Sequence, residues 1–280
     1  MGNWHDLDAE RQTRILGESR LSHLWRSMEG TAVFGRLTWH TAKVLDLRAE
    51  TANARTIAFA VRGWPGHVAG QHVDVRLAAP DGYSAVRSYS IASAPNLEGR
   101  VEITVERIPA GEVSPYLTLE LMVGDEVELR GPIGGWFVWR SDQREPIQLL
   151  AGGSGIVPLM GMIRSHAVAK STAAFRLLYS VREPGSILYR QELEALSAQH
   201  APVTVNYTYT RSVPKDWPGP PRRVNGDLIS QLTWPASLGA TFYVCGPTGF
   251  VESVTDLLID AGNSREKIKT ERFGPTGEPK

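Results

Sequence analysis

The segment Gly152-Gly153-Ser154-Gly155-Ile156-Val157-Pro158 constrains the fold more than any other part of the chain. It follows the apolar run 147–151 and opens a stretch of helical spacing. Glycines let a backbone turn sharply and come close to a diphosphate, and a helix N-terminus supplies about half a positive charge there. Pro158 suits the first helical turn, where its missing N–H costs nothing. The pattern departs from G-x-G-x-x-G, because proline stands where the last glycine would be. A purely structural glycine turn is the competing reading.

The surroundings agree with a strand–loop–helix unit. From residue 143 onward, compact apolar strands at 147–150, 175–180, 203–210 and 241–244 alternate with helical stretches at 157–169, 188–199 and 250–260. Such alternation predicts a doubly wound parallel sheet. Residues 36–142 have another texture, with β-rich segments at 56–61, 72–77, 86–93, 101–108 and 126–130. Turn signals such as Gly63-Trp64-Pro65-Gly66 and Pro80-Asp81-Gly82 separate them, which predicts an antiparallel barrel or sandwich. In residues 1–35, Ile15, Leu16, Leu21, Leu24, Trp25 and Met28 recur at roughly helical spacing, so a helical extension is expected.

Composition removes several classes of function. Thirty basic residues balance thirty acidic ones, so no global field draws the chain to nucleic acid or anionic lipid. The single cysteine, Cys245, excludes a disulfide framework and an iron–sulfur cluster built from this chain alone. No resident metal is expected. The most apolar run, 147–163, is broken by four glycines, Ser154 and Pro158 and is too short to span a bilayer. Residues 1–10 are polar and acidic, unlike a signal peptide, and a soluble cytoplasmic protein is expected.

Three further motifs bear chemistry. In Arg87-Ser88-Tyr89-Ser90 a strand would project Arg87 and Tyr89 to one face and the two serines to the other. A guanidinium fork suits phosphate oxygens and a flat tyrosine suits an aromatic ring system, although ordinary strands alternate in the same way. Gly111-Glu112-Val113-Ser114 is a glycine turn into a short helix, with Ser114 a candidate cap and free N–H groups for an anion; a simple capped turn is equally consistent. Tyr243-Val244-Cys245-Gly246-Pro247 runs from a strand through a tight turn into a helix, at the sheet end where ligands of open α/β folds bind. A lone cysteine is otherwise a small core filler.

Which dinucleotide such a sheet prefers is read at its second strand. A carboxylate there binds a ribose 2′-OH, whereas this strand ends Tyr179-Ser180-Val181-Arg182. Arg211 ends the third strand, and Arg222 and Arg223 follow. A hydroxyl with arginines favours a 2′-phosphate, hence NADP; Glu183 keeps NAD open, and solvated surface arginines are the plain alternative.

Taken in order, these motifs resemble the ferredoxin–NADP reductase superfamily over about residues 37–274. The resemblance implies a flavin-binding barrel followed by a nucleotide-binding α/β domain, with FAD and NADP as cofactors. It implies that Arg87 contacts FAD phosphate, Ser88 lies in the flavin strand, Tyr89 packs on the flavin and Ser90 lies near its N5. Gly111, Val113 and Ser114 would line the FAD pyrophosphate. Gly152, Gly153, Gly155 and Pro158 would form the nucleotide loop, and Ser180, Arg182 and Arg211 the 2′-phosphate site. Cys245, Gly246 and Pro247 would lie beside the nicotinamide, with Glu271 near the reaction centre and Phe273 shielding the flavin. Residues 1–35 have no counterpart in the core pattern, no fused ferredoxin domain is expected, and residues 275–280 extend past the aromatic.

The implied activity is transfer of electrons from NADPH through FAD to a separate ferredoxin or oxygenase component. Two other readings stand beside it. One is a reductase of small acceptors such as free flavin, ferric chelate or oxygen. The other is a non-catalytic flavin-binding subunit.

Overall fold

The computed structural model describes residues 37–78, 82–95, 99–198 and 203–274. The helical reading of residues 1–35 lies outside the described residues.

The amino-terminal half is an antiparallel sheet of six strands: β1 (Trp39–Thr51), β2 (Ala54–Val61), β3 (His72–Ala78), β4 (Ser84–Ser90), β5 (Arg100–Glu106) and β6 (Glu126–Ile133). Their order is β4-β3-β6-β1-β2-β5, and a bridge between Ile91 and Ile103 joins the two outer strands, closing the sheet into a barrel. Alternate side chains Ile57, Phe59, Val73, Val75, Val101, Ile103, Val105 and Leu129 fill its interior. A short helix α1 (Val113–Pro115), continued by a wide turn over Tyr116–Glu120, adds Val113 and Leu117 to that core. Each such fully buried side chain contributes roughly 1.5–3 kcal/mol.

Strand β1 is the element that the sequence pattern conceals. Its 13 residues carry Lys43, Asp46 and Arg48, and only Ala42 and Val44 are buried. Two register shifts against β2 bend it, so that Trp39–Lys43 pairs with β6 while Ala42–Thr51 pairs with β2. A bulged, outward-facing strand loses the alternation that marks a flat one.

The second half is a parallel sheet of β7 (Ile147–Gly152), β8 (Phe175–Val181), β9 (Val203–Tyr209), β10 (Thr241–Pro247) and β11 (Ile268–Phe273). The order β11-β10-β7-β8-β9 makes the chain wind outward from β7 to β9 and return on the other side of β7. Both faces are covered, which explains the near-continuous apolar strands. Leu149, Leu177, Tyr243 and Cys245 face helix α2 (Ile156–Val168), while Leu150, Leu178, Phe242 and Val244 face α4 (Gly226–Leu232) and α5 (Thr248–Asp260). Helix α3 (Arg190–Ala198) follows β8. The helices expected at 157–169 and 250–260 stand within a residue or two of those bounds; α4 carried no such signal because it spans only seven residues.

Helix α2 joins the two halves. A Cβ on Gly161 would lie 2.8 Å from the Ile91 carbonyl oxygen, so helix and strand exit touch backbone to backbone. Arg164, one turn on, donates to the Ala92 carbonyl at 2.9 Å. Among the described residues, no helix is long and apolar enough to cross a membrane.

Candidate functional site

The sheet order places the carboxyl ends of β7 and β10 side by side, at the point where the winding reverses. That is where open α/β sheets bind ligands. The Gly152–Gly155 turn and the Cys245-Gly246-Pro247 turn meet there. Gly153 has φ 55°, and nothing stands within 4 Å of where its Cβ would be, so its backbone is bare towards solvent. Gly155 has the opposite surroundings: a Cβ would stand 2.1 Å from the Cys245 carbonyl oxygen and 2.7 Å from the Gly246 nitrogen. Gly155 therefore lets the start of α2 rest against β10. Pro158 is buried in the first turn of α2.

Between this turn and the barrel lies a cleft of about 600 Å³. Its sheet side holds Gly152, Gly153, Ser180, Arg182, Arg211 and Pro247, and with them Arg223 and Phe250. The Arg211 N–H donates to the Arg182 carbonyl at 2.9 Å, holding the two arginines on neighbouring chain segments, and the Arg222 N–H donates to the Tyr209 carbonyl at 2.7 Å. Arg182, Arg211, Arg223 and Ser180 thus line one cleft, which Glu183 and Glu106 line as well. The barrel's wall of the cleft, Thr51, Ala52, Asn53 and Ala54, escaped the sequence reading. It is the β1–β2 hairpin turn, invisible once β1 is not recognised as a strand.

On the barrel, Arg87 and the Gly111 turn are brought together. Arg87 pairs with Glu112 at 2.9 Å, and the Tyr83 hydroxyl donates to the other Glu112 oxygen at 2.9 Å. Ser114 is not the helix cap that its position suggests. The helix begins at Val113, so Ser114 sits inside it, and its Oγ accepts from the Ile108 N–H at 3.0 Å. This bond folds the Gly111 turn back onto the end of β5. Tyr89 packs against the barrel core, and burial pushes its phenol up to about 12. Ser88 points away from Arg87 and donates to Asp74 at 2.7 Å, where Arg130 also binds.

Ser90 ends the strand with its Oγ buried and without a hydrogen-bond partner. A buried hydroxyl left unpaired costs roughly 1–3 kcal/mol, so its position fits a ligand that hydrogen-bonds to it. The strand exit beyond it is firmly held. The Trp64 indole N–H donates to Nδ1 of His67, and burial lowers this ring to about 4, so the neutral imidazole gives its Nε2–H to the Ser93 carbonyl at 3.1 Å.

Cys245 and Glu271 are cross-strand partners on β10 and β11. Cys245 is fully buried; burial first and the Glu271 charge second push its thiol well above the ordinary value, so it is no thiolate. Glu271 has a sealed Oε2 with no hydrogen-bond partner, and burial pushes its carboxyl up to about 7. Phe273, two residues on, is half-buried against the same cluster as Cys245. Neither Cys245 nor Glu271 lines the arginine-bearing cleft; Pro247 is the member of this group that does.

A closed antiparallel barrel joined to a parallel sheet with a glycine turn at its switch point is the two-domain architecture of flavin- and nicotinamide-dependent oxidoreductases. The oxidoreductase FAD-binding domain family matches residues 42–138, and the oxidoreductase NAD-binding domain family matches residues 149–256. The glycine betaine monooxygenase reductase subunit of Pseudomonas aeruginosa is 30% identical over 247 residues, which cover 85% of this chain and 66% of that one. The chain thus spans about two thirds of that relative's length. The FAD/NAD-binding domain of nitric oxide dioxygenase from Vibrio cholerae superposes with a TM-score of 0.74 at 25% identity, over 84% of this chain and 99% of that one. The Amycolatopsis cytochrome P450 reductase GcoB gives 0.74 at 25% identity, over 88% and 74%. The chain belongs to the ferredoxin reductase-like family of FAD- and NAD-binding oxidoreductases.

Proposed function

We propose that this chain takes hydride from NADPH onto FAD and passes electrons singly to a separate iron–sulfur or oxygenase component. The observation that supports it best is the cleft itself, lined by the bare glycine turn together with Arg182, Arg211 and Arg223. A flavin, when bound, is the group that converts a two-electron hydride into single electrons. The protein's part is binding and alignment, which together can lower a barrier by roughly 7–11 kcal/mol. Arg87 with the Gly111, Val113 and Ser114 turn would hold the FAD pyrophosphate, Tyr89 would pack on the ring, and the unpaired Ser90 hydroxyl would meet its edge. Gly152 and Gly153 would offer backbone N–H groups to the nucleotide diphosphate. Gly155 and Pro158 would shape that loop from behind. Ser180 and the arginines would take the 2′-phosphate. Glu271, with a carboxyl near neutrality, would hold a proton beside Cys245, and Phe273 would cover the ring. Relatives named as a monooxygenase reductase subunit and a cytochrome P450 reductase support an external acceptor.

Anaerobic titration of the purified yellow protein with NADPH and with NADH tests this reading by bleaching of the flavin's visible absorption. Bleaching at lower NADPH than NADH concentrations is expected, and a colourless protein that refuses flavin would refute the reading. Acceptor assays with and without added ferredoxin then separate a protein partner from small acceptors. Replacing Arg182 and Arg211 together by alanine should weaken NADPH about a hundredfold or more, since each removes a charged hydrogen bond, and leave NADH nearly unchanged. Equal losses for both nucleotides would refute the 2′-phosphate assignment. Arg87→Ala should lower FAD affinity by about tenfold to a hundredfold. Its ion pair with Glu112 is exposed, so the unfolding midpoint of the flavin-free protein should stay in place. Equilibrium dialysis of FAD and denaturant unfolding measure the two effects.

A further inference from the structure

The connection between β8 and α3 ends on Tyr189, which has φ 55°, one of two non-glycine residues at positive φ among the described residues. Left-handed backbone costs an L-residue roughly 1–2 kcal/mol and persists only where the surroundings impose it. Here the surroundings belong to the barrel. The Tyr189 N–H donates to Glu50 Oε2 at 2.9 Å, and the Tyr189 hydroxyl donates to Thr104 Oγ1 at 2.5 Å. Thr56 donates to Glu50 Oε1 at 2.7 Å, which leaves Thr104 as the donor in its 2.7 Å contact with Thr56. The hydroxyls donate in series, Tyr189 to Thr104, Thr104 to Thr56 and Thr56 to Glu50, and the Tyr189 N–H donates to the other Glu50 oxygen, so the ring closes through Tyr189 itself. Every hydroxyl gives its proton once, so the donors polarise one another in a consistent sense. Burial keeps the phenol protonated well past its ordinary pKa.

Two further facts tie this ring to both ligand sites. The Arg164 guanidinium lies 5.0 Å from the Tyr189 ring centroid and bonds to Glu192, to Glu102 and to the carbonyl of Ala92, two residues past Ser90. In the other direction, the loop that ends on Tyr189 contributes Glu183, Gly185, Ser186 and Leu188 to the arginine-bearing cleft.

We propose that Tyr189 is a positioning residue whose hydrogen-bonded ring clamps the nucleotide-facing loop to the flavin barrel and thereby fixes the offset between the two bound rings. The proposal rests on the reading that the cleft takes NADPH and the barrel FAD. Tyr189→Phe opens the ring at one oxygen while keeping the aromatic face under Arg164. In the flavin-loaded protein, rapid mixing with NADPH should show a limiting rate of flavin bleaching about tenfold lower, with the NADPH dissociation constant within about twofold of wild type, as expected for misalignment rather than lost binding. Hydrogen exchange at the Tyr189 amide should quicken by about tenfold, because its acceptor Glu50 loses the support of the ring. Thr104→Val should match Tyr189→Phe and add nothing to it in the double variant, whereas Thr104→Ser should behave as wild type.

An unchanged bleaching rate with unchanged amide exchange would overturn the clamp. So would additive losses in the double variant, or a loss expressed wholly in the dissociation constant. If wild type itself is not bleached by NADPH, the functional reading fails instead, and the amide exchange still decides the clamp.

Discussion

Gly155→Ala is expected to cost about 4 kcal/mol or more, a large share of the 5–15 kcal/mol that holds an ordinary domain together. The added methyl would stand 2.1 Å from the Cys245 carbonyl oxygen and 2.4 Å from its carbon. Both are backbone atoms of a central strand paired on each side, with β7 and with β11, so neither can step aside. The start of α2 must then lift off β10, which also withdraws the bare Gly153 backbone from the cleft. Gly153→Ala is the matched control. Its φ of 55° strains any Cβ, but the space is open, so about 1–2 kcal/mol is expected. Denaturant unfolding of both variants decides the matter, and a Gly155→Ala midpoint equal to that of Gly153→Ala would show that the contact relaxes freely.

That pair of glycines also shows what the sequence could and could not say. A glycine-rich turn after an apolar run announces a strand–loop–helix unit, and the turn lies where the motif placed it. The division of labour between Gly153 and Gly155 was not legible, because it depends on Cys245, ninety residues away in the chain. The same holds for the clamp. Tyr189 and Glu50 are 139 residues apart, and Thr104 and Tyr189 are 85 apart. Threonine, glutamate and tyrosine at such separations leave no local pattern. Strand β1 failed for the opposite reason, since its local pattern is present but disguised by charged outward positions and two bulges. Ser114 was legible as a residue beside an anion-friendly turn and misleading as a cap, because serine suits both the cap and the first turn of a helix.

The pH dependence of stability should carry the signature of Glu271. Burial raises this carboxyl from 4.5 to about 7, so the folded chain favours the neutral form. The sign follows directly. Below pH 4.5 the group is protonated whether folded or unfolded and imposes no penalty. Between pH 4.5 and about 7 the folded state binds more protons than the unfolded one, so stability falls as pH rises. Above about pH 7 the whole penalty is present, at most about 3 kcal/mol for a shift of this size. Glu271→Gln keeps the shape and removes the titration. Its unfolding free energy should exceed that of wild type by a few kcal/mol at pH 8, with the gap closing towards pH 5. Measured at fixed flavin content, this difference isolates Glu271 from every other titrating group. Cys245 is fully buried and reacts only when the fold opens, so its alkylation under mild denaturant should slow in Glu271→Gln at pH 8. A gap that stays constant from pH 5 to pH 8 would mean that Glu271 titrates like an exposed carboxylate and holds no proton beside Cys245 near neutrality.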